Sequence, residues 1–111
     1  MNNENNVFQK LESVVIDRKE NKTEGSYTCY LFEKGVDKIL KKCGEECSEM
    51  LIAAKNNDNI ELKNEISDLL YHITVLCVNQ GLPFSEVLEV LSERANKVGN
   101  LKQFTISDKN S

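Results

Sequence analysis

Apolar residues recur at intervals of three and four along most of this chain, the spacing that places side chains on one face of an α-helix. The alternation typical of β-strands is almost absent. A first helix is predicted over about residues 6–19, followed by a polar linker over residues 20–30. The apolar stripe of this first helix consists of Val7, Leu11, Val14 and Val15.

A second helix is predicted over residues 31–55, and residues 56–59 interrupt its pattern. Its apolar positions step by four and three like the seam of a coiled coil: Val36, Leu40, Cys43, Cys47, Met50 and Ala54. Asp58 and Glu61 have the spacing of a capping box that opens a third helix, and Gly81 is placed to end it. The third helix repeats the seam through Leu62, Ile66, Leu69, Ile73 and Leu76.

Pro83 lies where a fourth helix would begin, over about residues 84–97, and this helix is predicted to bury Val87, Leu88, Leu91 and Ala95. We therefore predict an all-α, four-helix fold around a long central antiparallel hairpin, formed by the second and third helices. We predict one domain over residues 1–99 and a polar C-terminal tail over residues 100–111.

The apolar stripes of the hairpin are wider than a single hairpin needs, since Leu51, Ile52, Leu70 and Cys77 extend them sideways. A homodimer would bury this excess. The alternative is a monomer with an ordinary share of exposed apolar residues.

Composition and charge narrow the class of protein. The chain has 111 residues, of which 40% are hydrophobic and 29% charged, as in ordinary soluble globular proteins. No apolar run approaches the roughly 20 residues of a membrane span, and the polar N-terminus argues against a secretory signal. A net charge of −4 does not favour nucleic-acid binding. We therefore predict a cytoplasmic protein with neither a membrane nor a nucleic-acid partner.

The four cysteines form no Cys-x-x-Cys pair, and we interpret them as small core residues in a reducing compartment. A zinc site made from Cys43, Cys47, His72 and Cys77 is the alternative, although its spacing fits no common zinc pattern.

Two acidic clusters carry the strongest chemical signal. One contains Glu45, Glu46 and Glu49 on the second helix, and the other contains Glu65 and Asp68 on the third. At about 100° per residue both clusters border the apolar seams, so they can face each other across the hairpin. Such oxygen donors suit Mg²⁺ or Mn²⁺. Each cluster could instead be a solvated face, but charges beside a core are costly unless they are compensated.

Basic and hydroxyl side chains near the acids are candidates for binding phosphate. Lys38 and Lys42 lie one turn apart, and a Lys42–Glu46 ion pair within the helix is the simpler alternative. The linker offers the hydroxyls of Ser26, Tyr27 and Thr28. His72, one turn after Asp68, is a candidate to orient a carboxylate ligand, and a packed structural histidine is the alternative.

The pattern Glu-Glu-x-x-Glu, followed by Glu-x-x-Asp on the next helix, resembles the signature of the all-α nucleoside triphosphate pyrophosphohydrolases, the MazG-like superfamily. Four segments resemble a narrower family, the phosphoribosyl-ATP pyrophosphohydrolases: GSYT (25–28), LFEKG (31–35), KILKKCGEE (38–46) and EISDLLYH (65–72). The similarity covers residues 7–94. Departures are small: Cys43 and Cys47 replace expected small aliphatic residues, and Ser67 replaces an expected alanine.

This resemblance implies a homodimeric, MazG-like helical enzyme that hydrolyses phosphoribosyl-ATP to phosphoribosyl-AMP and pyrophosphate with Mg²⁺, the second step of histidine biosynthesis. Mn²⁺ is the alternative cation. The implied metal ligands are Glu46, Glu49, Glu65 and Asp68, with Glu45 as the general base. Ser26, Thr28, Lys38 and Lys42 would then bind substrate phosphates, and His72 would support a metal ligand.

Two other functions stay open from the sequence. A housekeeping MazG-like pyrophosphatase of non-standard nucleoside triphosphates would share the acidic motifs. A dimeric helical metal-binding or interaction module would need no catalysis at all.

Overall fold

A computed structural model describes residues 7–98, which form five α-helices: α1 (Val7–Glu20), α2 (Tyr27–Lys34), α3 (Val36–Lys55), α4 (Asn59–Gln80) and α5 (Phe84–Val98). The all-helical prediction is confirmed for this part of the chain. The prediction of four helices is wrong, because the predicted second helix is divided in two. The predicted tail and the domain boundary at residue 99 lie outside the described residues.

The division falls at Gly35, between α2 and α3. Gly35 has φ 92° and ψ −176°, a conformation that glycine adopts without steric penalty. Its N–H donates to the Leu31 carbonyl at 3.0 Å, which ends α2. At the other end of α2, the Ser26 hydroxyl accepts from the Cys29 N–H at 3.2 Å and caps the helix. The last four residues of the predicted polar linker, 27–30, are therefore the first turn of α2.

The predicted hairpin is present in α3 and α4, which pack against each other along most of their length. Residues 56–58 connect them. The Asp58 carboxylate accepts from the Glu61 N–H at 3.0 Å, so the predicted N-cap of α4 is confirmed. The reciprocal bond of a capping box is not made, because the Asp58 N–H donates to the Ala53 carbonyl at 3.0 Å. Gly81 ends α4 in the left-handed conformation with φ 74°, as predicted.

The core lies where α1 and α2 cover one side of the hairpin. Its fully buried members come from four helices: Val15, Leu31, Ile39 and Val75. Half-buried residues pack around them: Leu11, Phe32, Tyr71, Leu76 and Val78. This core fixes the first turns of α2 against the middle of α4, which brings the GSYT segment close to the acidic helices.

The prediction of the buried face of α3 is wrong, because the helix is rotated about its axis relative to the predicted seam. The buried residues of α3 are Ile39, Glu46 and Ala53, one every seven positions. Leu40 is 49% exposed, and Cys47 is exposed as well. Apolar residues surround much of α3, so its pattern fits more than one buried face, and the position of α1 and α2 selects the Ile39 side.

The apolar face predicted for α5 is mostly exposed. Leu88, Leu91 and Ala95 are exposed, and Val87 is half-buried. The helix is fixed at its first residue instead, because Phe84 stacks on Phe8 with ring centroids 5.1 Å apart. The Phe84 N–H also donates to the Glu12 carboxylate at 2.8 Å. Among the helices of residues 7–98, none combines the length and the apolar composition that a membrane crossing requires.

Candidate functional site

Three carboxylates meet across the hairpin. Glu46 and Glu49 lie three residues apart on α3, and Glu65 faces them from α4. One oxygen from each lies within 4.8 Å of the others. Glu46 is buried, Glu65 is half-buried and Glu49 is exposed, so the group opens from the helix interface toward solvent. We call Glu46, Glu49 and Glu65 the acidic centre.

Asp68 is the fourth ligand that the sequence analysis suggested. It lies one turn after Glu65 on α4 and is exposed. Its carboxylate is outside the 4.8 Å group, although its negative charge helps to raise the pKa of Glu65. Its role as a ligand stays a prediction.

The crowding of like charges changes the proton affinity of the acidic centre. A hydrogen bond with the Glu46 carboxyl, partial loss of hydration and the charges of Glu49, Glu46 and Asp68 raise the pKa of Glu65 from 4.5 to about 7. Three ionised carboxylates at this spacing repel one another strongly. The centre therefore needs either a shared proton or a positive ion at neutral pH.

Glu46 has an oxygen that no other described group satisfies. Its Oε1 is buried and has no hydrogen-bond partner within residues 7–98. A buried carboxylate oxygen without a partner is costly, and such groups are frequent at metal and catalytic sites. Because oxygen donors are the preferred ligands of Mg²⁺ and Mn²⁺, the residues of the acidic centre fit a hard divalent cation.

Glu45 points away from the acidic centre. Its carboxylate pairs with Lys42 of the same helix at 3.2 Å and is 44% exposed. The hydrogen bond from Lys42 lowers the pKa of Glu45, which weakens it as a base, and raises the pKa of Lys42. Lys42 therefore pairs with Glu45, not with Glu46. The assignment of Glu45 as the general base stays a prediction.

The two candidate phosphate-binding lysines lie beside the aromatic start of α2. The Lys38 ammonium is 5.9 Å from the Tyr30 ring centroid. Lys42 lies near the Tyr27 phenol: burial raises the pKa of Tyr27, and the Lys42 charge works against that rise. Positive charge thus borders the acidic centre on the side of α2.

The candidate hydroxyls on α2 already have protein partners. Ser26 uses its oxygen as the helix cap, which leaves its hydroxyl hydrogen free to donate to a ligand. Thr28 shares a short hydrogen bond with the Tyr71 hydroxyl. A cleft beside this segment is lined by Lys22, Thr23, Glu24, Gly25, Ser26, Tyr27, Cys29, Tyr30 and Glu33.

His72 is buried and bonded at both ring nitrogens. Nδ1 lies 2.8 Å from the backbone carbonyl of Asp68, and Nε2 lies 3.0 Å from the Tyr27 hydroxyl. The ring therefore contacts the backbone of Asp68 and not its carboxylate. Neither the Tyr27–His72 bond nor the Thr28–Tyr71 bond was predicted from the sequence. Tyr27 and Tyr71 belong to recognised motifs, but spacing along the chain could not show that residues 43 and 45 positions apart would bond.

A second cleft begins at the acidic centre and follows the hairpin to the connection between α3 and α4. Its lining residues are Glu49, Ile52, Ala53, Asn56, Asp58, Glu61 and Glu65. The zinc alternative is not supported: within residues 7–98, the one group of three or more metal-ligating side chains is the acidic centre, which contains no cysteine.

Comparison with known proteins found one matching family and several similar proteins. The family described as Phosphoribosyl-ATP pyrophosphohydrolase matches residues 8–95. The Phosphoribosyl-ATP pyrophosphatase of Clostridium botulinum strain Hall is 52% identical over 100 residues, which are 90% of this chain and 91% of the relative. That of Clostridium novyi is 49% identical over 96 residues, covering 86% and 87%. The Histidine biosynthesis bifunctional protein HisIE of Bacillus subtilis is 53% identical over 92 residues, but these are only 44% of its length.

Proposed function

Because this chain belongs to the phosphoribosyl-ATP pyrophosphohydrolase family, we propose that it hydrolyses phosphoribosyl-ATP to phosphoribosyl-AMP and pyrophosphate in histidine biosynthesis. The observation that supports a site for this reaction is the acidic centre, which lies inside the matched region. Its buried Glu46 oxygen has no partner within residues 7–98. We propose Mg²⁺ as the cation, with Mn²⁺ as the alternative.

The acidic residues and the lysines have different roles in the proposed site: the acids bind the cation and the lysines bind phosphate. Glu46, Glu49 and Glu65, with Asp68 beside them, hold the cation. When bound, the cation supplies positive charge that neutralises phosphate oxygens and the leaving pyrophosphate. Lys38 and Lys42 attract the polyphosphate to the side of α2.

The hydroxyls and the base complete the proposed site. Ser26 and Thr28 orient phosphate oxygens. Water attacks phosphorus, the anhydride bond between the α- and β-phosphates breaks, and Glu45 is the candidate acceptor of the water's proton. That role requires Glu45 to leave its pairing with Lys42.

We also propose that the protein is a homodimer and acts in the cytoplasm. Support for the dimer comes from large apolar side chains that are exposed on α3 and at the start of α4: Leu40, Leu51, Ile52 and Ile60. Support for a reducing compartment comes from the four cysteines, all of which are free thiols.

Pyrophosphate release from phosphoribosyl-ATP tests the activity. The purified protein should release it with Mg²⁺ or Mn²⁺ and lose activity after exhaustive chelation. Glu46→Gln, Glu49→Gln, Glu65→Gln and Asp68→Asn should each lower turnover by about 100-fold or more, the effect of losing several kcal/mol of charge stabilisation.

Glu89→Gln, on exposed α5, is the matched control and should keep full turnover. Equal turnover of deoxynucleoside triphosphates and phosphoribosyl-ATP would contradict the proposed substrate. Full activity in all four acid variants would contradict the proposed site.

A further inference from the structure

Two hydrogen bonds join the first turn of α2 to the middle of α4. The Tyr27 hydroxyl bonds His72 Nε2 at 3.0 Å, and Thr28 bonds the Tyr71 hydroxyl. The rings also pack together, with Tyr27 and Tyr71 stacked at 6.2 Å between centroids and Tyr27 edge-on to His72 at 5.8 Å. The segment proposed to hold phosphates is thus tied to the helix that carries Glu65 and Asp68.

The direction of the Tyr27–His72 bond follows from the other ring nitrogen. His72 Nδ1 lies 2.8 Å from the Asp68 carbonyl, and a carbonyl can only accept. In the neutral imidazole Nδ1 therefore carries the hydrogen, Nε2 accepts, and Tyr27 donates to it. His72 is only 5% exposed, so water cannot easily replace either partner. Both hydrogen bonds therefore run the same way: Tyr27 donates to His72, and His72 donates to the Asp68 carbonyl.

This chain of bonds links two parts of the proposed site, the start of α2 and the turn of α4 after Glu65. Ser26 and Thr28 flank Tyr27, and the Asp68 carbonyl belongs to the turn of α4 that follows Glu65. If the phosphates are held by α2 and the cation by α3 and α4, their relative position decides whether water can attack in line. Small errors in such geometry lower the rate even when every binding group remains.

We propose that Tyr27 is a positioning residue, whose hydroxyl acts through His72 to set the phosphate-binding start of α2 at its working position relative to the acidic centre. The proposal rests on the proposed function. Tyr27 need not touch the reacting atoms, since its hydroxyl bonds His72 and not a carboxylate of the acidic centre.

Tyr27→Phe tests this, because it removes one oxygen and keeps the ring. Tyr30→Phe is the matched control. Tyr30 lies one turn further along α2 and is 38% exposed against 44% for Tyr27, and its hydroxyl makes no hydrogen bond within residues 7–98. Tyr27→Phe should lower kcat for phosphoribosyl-ATP by about three- to tenfold, the effect of one net hydrogen bond. Tyr30→Phe should leave kcat unchanged.

Two further measurements separate positioning from a merely structural role. The affinity of the substrate-free protein for Mn²⁺, measured by calorimetry, should be the same in Tyr27→Phe and the parent. His72→Asn keeps a donor for the Asp68 carbonyl but removes the acceptor for Tyr27, so the double variant should lose no more kcat than the larger single loss. If His72→Asn does not fold, the comparison of Tyr27→Phe with Tyr30→Phe still decides.

Unchanged kcat in Tyr27→Phe, or a lower melting temperature as its only effect, would overturn the inference and leave the proposed function standing. Weaker Mn²⁺ binding that accounts for all of the lost rate would overturn it too. If the parent protein does not turn over phosphoribosyl-ATP, the proposed function fails before any variant is made.

Discussion

Glu46 lies between Ile39 and Ala53 on the buried line of α3, a position that an apolar side chain would normally fill. Its carboxylate faces Glu49 and Glu65, and its hydrogen bond with Glu65, partial loss of hydration and the neighbouring negative charges raise the pKa of Glu65 to about 7. The folded protein without metal therefore binds protons that the unfolded chain releases. The raised pKa of Glu65 therefore stabilises the folded protein at low pH, and this stabilisation is lost as the pH rises through about 7.

We predict that Glu46→Gln stabilises the metal-free protein above neutral pH, because it removes one of the repelling charges while keeping the side-chain size. Its melting temperature in chelator should exceed that of the parent at about pH 8 and should fall less between about pH 5 and pH 8. Circular dichroism melts at several pH values measure this. Glu89→Gln serves as the control, and a melting temperature lower than the parent's at pH 8 would count against the charge argument.

The sequence could predict the acids but not all of their neighbours. Glu46, Glu49 and Glu65 were predicted to meet because helical spacing and a short connection suffice to place them. Glu45 differs from Glu46 by a rotation of about 100°, which turns it to Lys42 instead. The Tyr27–His72 bond depends on how α2 docks on α4, and spacing within a single helix carries no information about that.

At the scale of the helices, the sequence signals at helix ends predicted the structure better than the apolar stripes along the helices did. Asp58 and Gly81 were correctly predicted because each acts through its own backbone neighbourhood. The break at Gly35 was missed since the apolar pattern continues across it. The buried face of α3 was wrong because a helix with apolar residues on several sides gives no unique orientation before its neighbours are known.

We predict that Asp58→Ala destabilises the protein by about 1 kcal/mol, through loss of the hydrogen bond from the Glu61 N–H at the start of α4. Urea unfolding followed by circular dichroism measures the change. Asp58→Asn keeps an accepting oxygen and should stay close to the parent. Equal losses in both variants would show that the negative charge, and not the cap, is what matters.

For the whole molecule, the exposed apolar side chains on the hairpin are the largest departure from an ordinary surface. Leu51 is 62% exposed and Ile60 is 73% exposed. The stripes were predicted to be too wide for a single hairpin, and the single chain leaves Leu51 and Ile52 exposed but buries Cys77 and half-buries Leu70. The spacing of apolar residues along a chain predicts its fold class. It does not describe the shape of the folded surface, so it cannot show which part of that surface a second copy would cover.

We predict that light scattering at micromolar concentration gives about twice the chain mass of 12.6 kDa. Leu51→Glu places a charge on the exposed hairpin face and should shift the mass toward one chain. Val90→Glu adds the same charge to an exposed apolar position on α5 and should keep the dimer. A single-chain mass for the parent at all concentrations would exclude the dimer, and dissociation by Val90→Glu alone would move the interface to α5.

The connection between α3 and α4 is short, so little chain entropy is lost when these two helices come together. Closing three residues between two helices removes few conformations, whereas the contact between Glu12 and Phe84 joins positions 72 residues apart. The helices that carry the acidic centre therefore meet through nearby sequence, while α5 depends mainly on distant contacts with Phe8 and Glu12 of α1. Fluctuations that release α5 can leave the hairpin, and the carboxylates on it, in place.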